Sequence, residues 1–187
     1  LAAGTWKQAK DFSSWPGEDM AILVGGALHY ETGETGDAFL NNNFTSWMVD
    51  ASIESQGWSA FAALIGQSMD LDNSAPLAFK KYDLWGLVCQ GSYNMSMGDH
   101  FLEPFVRWEH LDFDDLLTDA AIQDQDEVDL LTLGTNYYLG GHNAKFSVDL
   151  LLALDSMPFG SSSAHLLSDA FGEDNQTVLR AQFQLLF

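Results

Sequence analysis

The 187-residue sequence has a single cysteine, Cys89, which excludes a disulfide framework within the chain. Basic residues are scarce as well: Lys and Arg number 7 against 27 Asp and Glu, for a formal net charge of −20. So acidic a surface repels a polyanion and argues against nucleic acid as a partner. It argues equally against a basic amphipathic helix lying on a membrane. No window reaches the roughly 18–20 apolar residues that a membrane-spanning helix needs. The five histidines, His29, His100, His110, His142 and His165, form no HxH pair and no HExxH helix, so no metal site is expected. No G-x-S-x-G elbow is present either. The stretch Asp70-Leu71-Asp72-Asn73 opens like a calcium loop but lacks the required Gly and distal Glu. The expectation is a protein with no catalytic residues and no cofactor. Its start at Leu1, without a basic and apolar leader, is expected of a chain processed or cut from a longer one.

What is present is a composition 47% hydrophobic and 18% charged, enough for one domain with a core. The apolar residues alternate with a period of two, the signature of half-buried strands. Leu179, Ala181, Phe183, Leu185 and Phe187 oppose Arg180, Gln182, Gln184 and Leu186. Phe146, Val148, Leu150, Leu152 and Leu154 oppose Lys145, Ser147, Asp149, Leu151 and Ala153. The same pattern sets Leu131, Leu133, Thr135 and Tyr137 against Leu130, Thr132, Gly134 and Tyr138. It sets Val106 and Trp108 against Glu103, Arg107 and Glu109, and Trp47, Val49 and Ile53 against Asp50 and Glu54. Trp58 to Ser68 is apolar on both faces and has no legible orientation; the turn Ser55-Gln56-Gly57 before it favours a hairpin over a buried helix. About eight strands and no long helix are expected.

Short turns at Ser55–Gly57, Ser96–Asp99 and Gly140–Asn143 alternate with long connections at Thr32–Asn43, Met69–Lys81, Asp112–Glu127 and Ser156–Asn175. That parity is the layout of an outer-membrane barrel, with turns at one end and loops at the other. A soluble lipocalin-like barrel would show the same alternation with the apolar face inward. Two features favour the membrane orientation. The polar faces are small and amide-rich with few Lys, and aromatic residues sit near the strand ends, as at Trp47, Trp58, Trp85, Tyr93, Trp108, Tyr137 and Phe146.

Four stretches extend this reading: Glu103-Pro104-Phe105-Val106-Arg107-Trp108-Glu109, Leu133-Gly134-Thr135-Asn136-Tyr137-Tyr138, His142-Asn143-Ala144-Lys145-Phe146 and the terminal Leu179 to Phe187. Together they resemble the C-terminal half of the phosphate-selective outer-membrane porin (porin O and P) family. The resemblance covers residues 82–187 well and 1–81 more loosely. It implies an all-β, antiparallel transmembrane β-barrel of 16 strands, about eight of them supplied here. Residues 1–19 would be the end of a preceding strand and its turn, and 20–187 the barrel strands. It further implies a homotrimeric, passive diffusion channel for small hydrophilic solutes or ions such as phosphate, set in the lipid of the bacterial outer membrane. The terminal strand resembles the outer-membrane assembly signal, carried by Phe183, Leu185 and Phe187.

The expected pore-lining residues are those of the polar faces: Asp50, Glu54, Glu103, Arg107, Glu109, Lys145, Asp149 and Arg180. Anion selection needs a basic lumen. Here acids outnumber bases, so a cation bias is expected instead. Arg107 with Glu103 and Glu109 admits two readings, a selectivity cluster or a structural salt-bridge network, and Arg180 with Asp149 admits the same two. An eight-stranded barrel closed on its own, structural or adhesive and non-conducting, is the other architecture open to this chain.

Overall fold

A computed structural model describes residues 2–3, 13–34, 41–71, 81–113, 127–141, 143–155, 166 and 176–186. The period-two segments pair into one antiparallel sheet, and the described residues include no helix. Its strands are β1 (Ala2–Ala3), β2 (Ala21–Glu34), β3 (Asn41–Ser55), β4 (Trp58–Leu71), β5 (Lys81–Tyr93), β6 (Met95–Met97), β7 (His100–Asp112), β8 (Glu127–Tyr138), β9 (Ala144–Ala153) and β10 (Thr177–Leu185). They lie in the order β1-β2-β3-β4-β5-β7-β8-β9-β10, with β6 beside β7. This is a meander of sequence neighbours. The sheet is open: β1 and β10 are its edges, and no described pairing joins them.

The short turns have the chemistry that tight hairpins demand. Ser55 pairs with Trp58, leaving Gln56-Gly57 as a two-residue loop with φ of +49° and +93°. Positive φ at both positions makes a type I′ turn, whose twist matches that of the flanking strands. Gln56 is strained there, and its backbone N and its Nε2 both donate to the Glu18 carbonyl, at 3.1 and 2.8 Å. Met97 pairs with His100 around Gly98-Asp99, with φ of +68° at Gly98, which gives the II′ form.

The strands run further than the alternation implied. Thr32–Glu34 pairs with Asn41–Asn43, so the first long connection shrinks to residues 35–40. Met69 to Leu71 belongs to β4, and Ser96 and Met97 belong to β6 rather than to a turn. The strict parity of short and long connections remains.

Registers bring all the apolar faces read from the sequence to one side. Val24, Ala51, Ala62, Cys89, Trp108, Leu131 and Leu152 form a continuous cross-strand row. Trp58–Ser68 now has an orientation: Trp58, Ala60, Ala62 and Leu64 join this side, and Ser59, Phe61, Ala63 and Ile65 the other. We call the first side the open face and the second the covered face. Within the strands, every large apolar side chain that is strongly exposed lies on the open face, except Ile65 and Leu111. Leu28 and Leu179 are 76% and 73% exposed. The buried side chains of the strands, including Glu54, Ser59, Ser92, Glu103, Thr132 and Tyr138, all lie on the covered face. A water-soluble sheet has the opposite arrangement.

Large side chains cross glycine on neighbouring strands. A Cβ at Gly66 would stand 2.3 Å from the Trp47 ring, and one at Gly134 would stand 2.3 Å from Phe105. Each glycine leaves room for an aromatic ring to lie flat over the sheet.

Candidate functional site

The covered face holds all eight residues expected to line a pore. They do not act as one cluster. Glu103, on β7, is 2% exposed and is held by hydroxyls and an amide. The Ser92 Oγ donates to its Oε1 at 2.7 Å. Its Oε2 accepts from the Tyr138 hydroxyl at 2.5 Å, Asn136 Nδ2 at 2.9 Å and Ser13 Oγ at 3.2 Å. A second layer extends the network. Since the Ser92 proton goes to Glu103, Ser59 is the donor in the short Ser59–Ser92 contact. Ser147 Oγ donates to Asn136 Oδ1 at 2.6 Å.

This corrects the grouping of Glu103 with Arg107. Residues i and i+4 on a strand are about 13 Å apart, too far for an ion pair. Arg107 instead donates from Nε to Gln90 Oε1 at 3.0 Å, and its NH1 lies 3.9 Å from Glu109 Oε1. Arg180 stands directly opposite Asp149 and donates to its Oδ1 at 2.6 Å, as the sequence allowed. Lys145 lies over the Tyr138 ring, its Nζ 5.8 Å from the centroid. The Asp50 carboxylate covers Gly25 on β2, filling the space a Cβ would take. Glu54 is 3% exposed, beside Ser59 in the next strand.

The segment before β2 straps this network. Ser13 reaches Glu103 and the Tyr138 hydroxyl, the latter at 2.9 Å. The Trp15 ring meets Phe101 and Tyr138 edge-on, at centroid distances of 4.8 and 5.1 Å. The Ser14 Oγ accepts from the Gly57 backbone N at 3.1 Å, and Ser14 is fully buried. Residues 13–18 therefore cross the short-turn end of the covered face from β8 to the β3–β4 turn. Tyr138 fell on a polar face of the alternation, but nothing local marked it, Ser92 or Asn136 as a partner of Glu103.

The open face is ordered too. Between two aromatic belts it carries no Asp, Glu, Lys or Arg on any long strand. The turn-end belt includes Trp58 and Tyr93, with ring centroids 4.4 Å apart, and Phe146 and Phe183 in direct register. In the loop-end belt, Trp85 Nε1 donates to Asp112 Oδ2 at 2.8 Å and Trp108 Nε1 to Asp129 Oδ1 at 3.0 Å. His110 packs near both Trp rings, its Nδ1 3.0 Å from Asp129 Oδ1. Cys89 lies half-buried on the open face between the belts. Phe183 and Leu185 point to this face; Phe187, His142 and His165 lie outside the described residues. No group of three or more metal-binding side chains occurs among the described residues. Comparison with protein-family models, with curated proteins and with solved structures found no match.

Proposed function

We propose that this sheet is wall of a β-barrel of the bacterial outer membrane, with the open face in lipid and the covered face lining the interior. The observation that carries it is the inverted polarity: exposed apolar side chains on one face, buried polar ones on the other. Spacing supports it. From Tyr93 to Trp85 along β5 is about 26 Å, which at a tilt of roughly 40° rises about 20 Å, most of an apolar band about 25 Å tall. Trp and Tyr at both limits suit the membrane interfaces, where a ring meets lipid and its N–H or O–H meets a polar partner. The loops then face outside and the short turns the periplasm.

In this reading the barrel is a passive diffusion channel for small hydrophilic solutes, with a bias to cations. Asp50, Glu54, Glu109 and Asp149 on the interior wall stand against Arg107, Lys145 and Arg180, two of which already contact carboxylates. The strap favours a second reading, a narrow non-conducting barrel. Eight strands suffice for a barrel filled by its own side chains, whereas sixteen leave an aqueous channel. The strap occupies one end of that interior.

Single-Trp variants reconstituted in bilayers with brominated acyl chains test the orientation. Trp47, Trp85 and Trp108 are expected to be strongly quenched and Trp15 spared; equal quenching, or a protein that stays in solution without lipid, overturns it. Conductance in planar bilayers then decides between the two readings. A KCl-gradient reversal potential that reports cations at ~0.1 M salt and fades toward 1 M supports the channel. Absence of conductance supports the filled barrel.

A further inference from the structure

Near the loop end, the covered face changes character. A cavity of about 290 Å³ opens there, walled by Ile65, Leu84, Gly86, Val88, Leu111 and Leu130. Ile65 and Leu111 are the two strand residues that break the rule of the faces: large, apolar, well exposed and on the covered side. Both line this one cavity, so the exception is local and shaped. Gly86 forms part of its floor, since a Cβ there would stand 2.9 Å from a Leu111 methyl carbon. The volume lies near the lower end of the range for ligand sites, roughly 300–1,000 Å³, and suits a short chain or a single ring.

Charge selects among such ligands. Glu109 lies on the cavity wall, and the row it shares across the sheet, Asp50-Ala63-Val88-Glu109-Leu130-Ala153, carries two carboxylates and no base. Lys145 and Arg180 lie nearer the turn end. Among the described side chains Arg107 is the base beside it, held by Gln90 and 3.9 Å from Glu109. An anionic head would meet the acids; a cationic head can replace the stretched Arg107 contact at Glu109.

We propose that the cavity is a binding site for a small aliphatic ammonium ion, its hydrocarbon against Ile65 and Leu111 and its charged nitrogen at Glu109. In the barrel reading, on which the interior placement of the site rests, it would retain such amphiphiles at the outer mouth.

The test is calorimetric titration of octylammonium into the protein in lipid nanodiscs, with octanol and octanoate as comparators. Ile65 and Leu111 face away from the lipid, so wild type and variants share the same background of partitioning into the bilayer. A saturable component of one site per chain is expected. It should weaken about tenfold in the Ile65→Gln, Leu111→Gln double variant, where the apolar wall becomes polar. Ile65→Ala, which only shortens an exposed side chain, should weaken it in the same direction if the double variant fails to fold. Glu109→Gln should weaken octylammonium severalfold and leave octanol unchanged. Identical heats in wild type and wall variants overturn the site, and octanoate binding as tightly as octylammonium overturns its charge preference. Should the protein prove soluble without lipid, the same titration is made in buffer, so the orientation can fail while the cavity stands.

Discussion

The two ends of the covered face are built on opposite principles. At the turn end a buried carboxylate gathers four donors from three separate segments: Ser13, Ser92 on β5, and Asn136 and Tyr138 on β8. At the loop end Val128, Leu130, Leu151 and Ala153 form an apolar cluster, packed by Leu166, Phe113 and Val178. The change occurs over two rows of the sheet. The row of Gln90, Arg107, Thr132 and Leu151 is mixed, and the next, Val88, Glu109, Leu130 and Ala153, is apolar on these strands except for Glu109. Thr132, in the mixed row, is 1% exposed and its Oγ1 has no partner among the described residues. The lesson is that one face of a sheet can carry a polar core and an apolar core in series. A single substitution should then have different consequences at the two ends.

The largest effect is expected at the loop end. Leu151 is 2% exposed within the apolar cluster. Leu151→Asn removes its packing and buries an amide with no partner, which should cost about 3–5 kcal/mol. Equilibrium urea unfolding measures this. A loss below about 1 kcal/mol would mean that the cluster is wet and that the two ends do not differ.

Glu103→Ala should cost somewhat less, about 2–4 kcal/mol, by stranding the Ser92 and Tyr138 hydroxyls and the Asn136 amide in a buried site. Tyr138→Phe removes one donor and should cost about 1–2 kcal/mol. If the two changes together cost no more than Glu103→Ala alone, the network acts as a unit, as shared partners imply. Strict additivity would break that description. Gly134→Ala, one row away, presses on Phe105 and on the Asp149 Cβ and should cost roughly 1–3 kcal/mol.

These contrasts also mark where the sequence was legible. Alternation assigns a side chain to a face, so all eight polar-face candidates fell together on the covered face and the apolar faces together on the open one. It says nothing of height along the strand, which register and turn lengths decide. The two kinds of core therefore could not be separated, and Leu130, Leu151 and Ala153 read merely as members of mixed faces. Trp58–Ser68 could not be oriented because small and apolar residues occupy both of its sides. Ser13 and Tyr138 lie 125 positions apart, and their contact has no local signature.

The smallest effects concern the two ion pairs, and geometry ranks them. Arg180 and Asp149 face each other on adjacent strands, the closest cross-strand relation, with Nε 2.6 Å from Oδ1 and side chains 32% and 18% exposed. Arg107 and Glu109 sit two apart on one strand, about 7 Å between Cα atoms, and reach each other only at 3.9 Å. A partly exposed pair with good hydrogen-bond geometry is worth at most about 1 kcal/mol, and a stretched one close to nothing. Double-mutant cycles with Arg180→Gln and Asp149→Asn should give a coupling of about 0.5–1 kcal/mol, and those with Arg107→Gln and Glu109→Gln about 0.3 kcal/mol or less. Raising the salt to ~1 M should reduce the first and leave the second unmeasurable, because screening reaches exposed charges first. A stronger coupling at Arg107–Glu109 would reverse the ranking. It would mean that Arg107 holds Glu109 firmly, and a cation could then not displace it at the cavity edge.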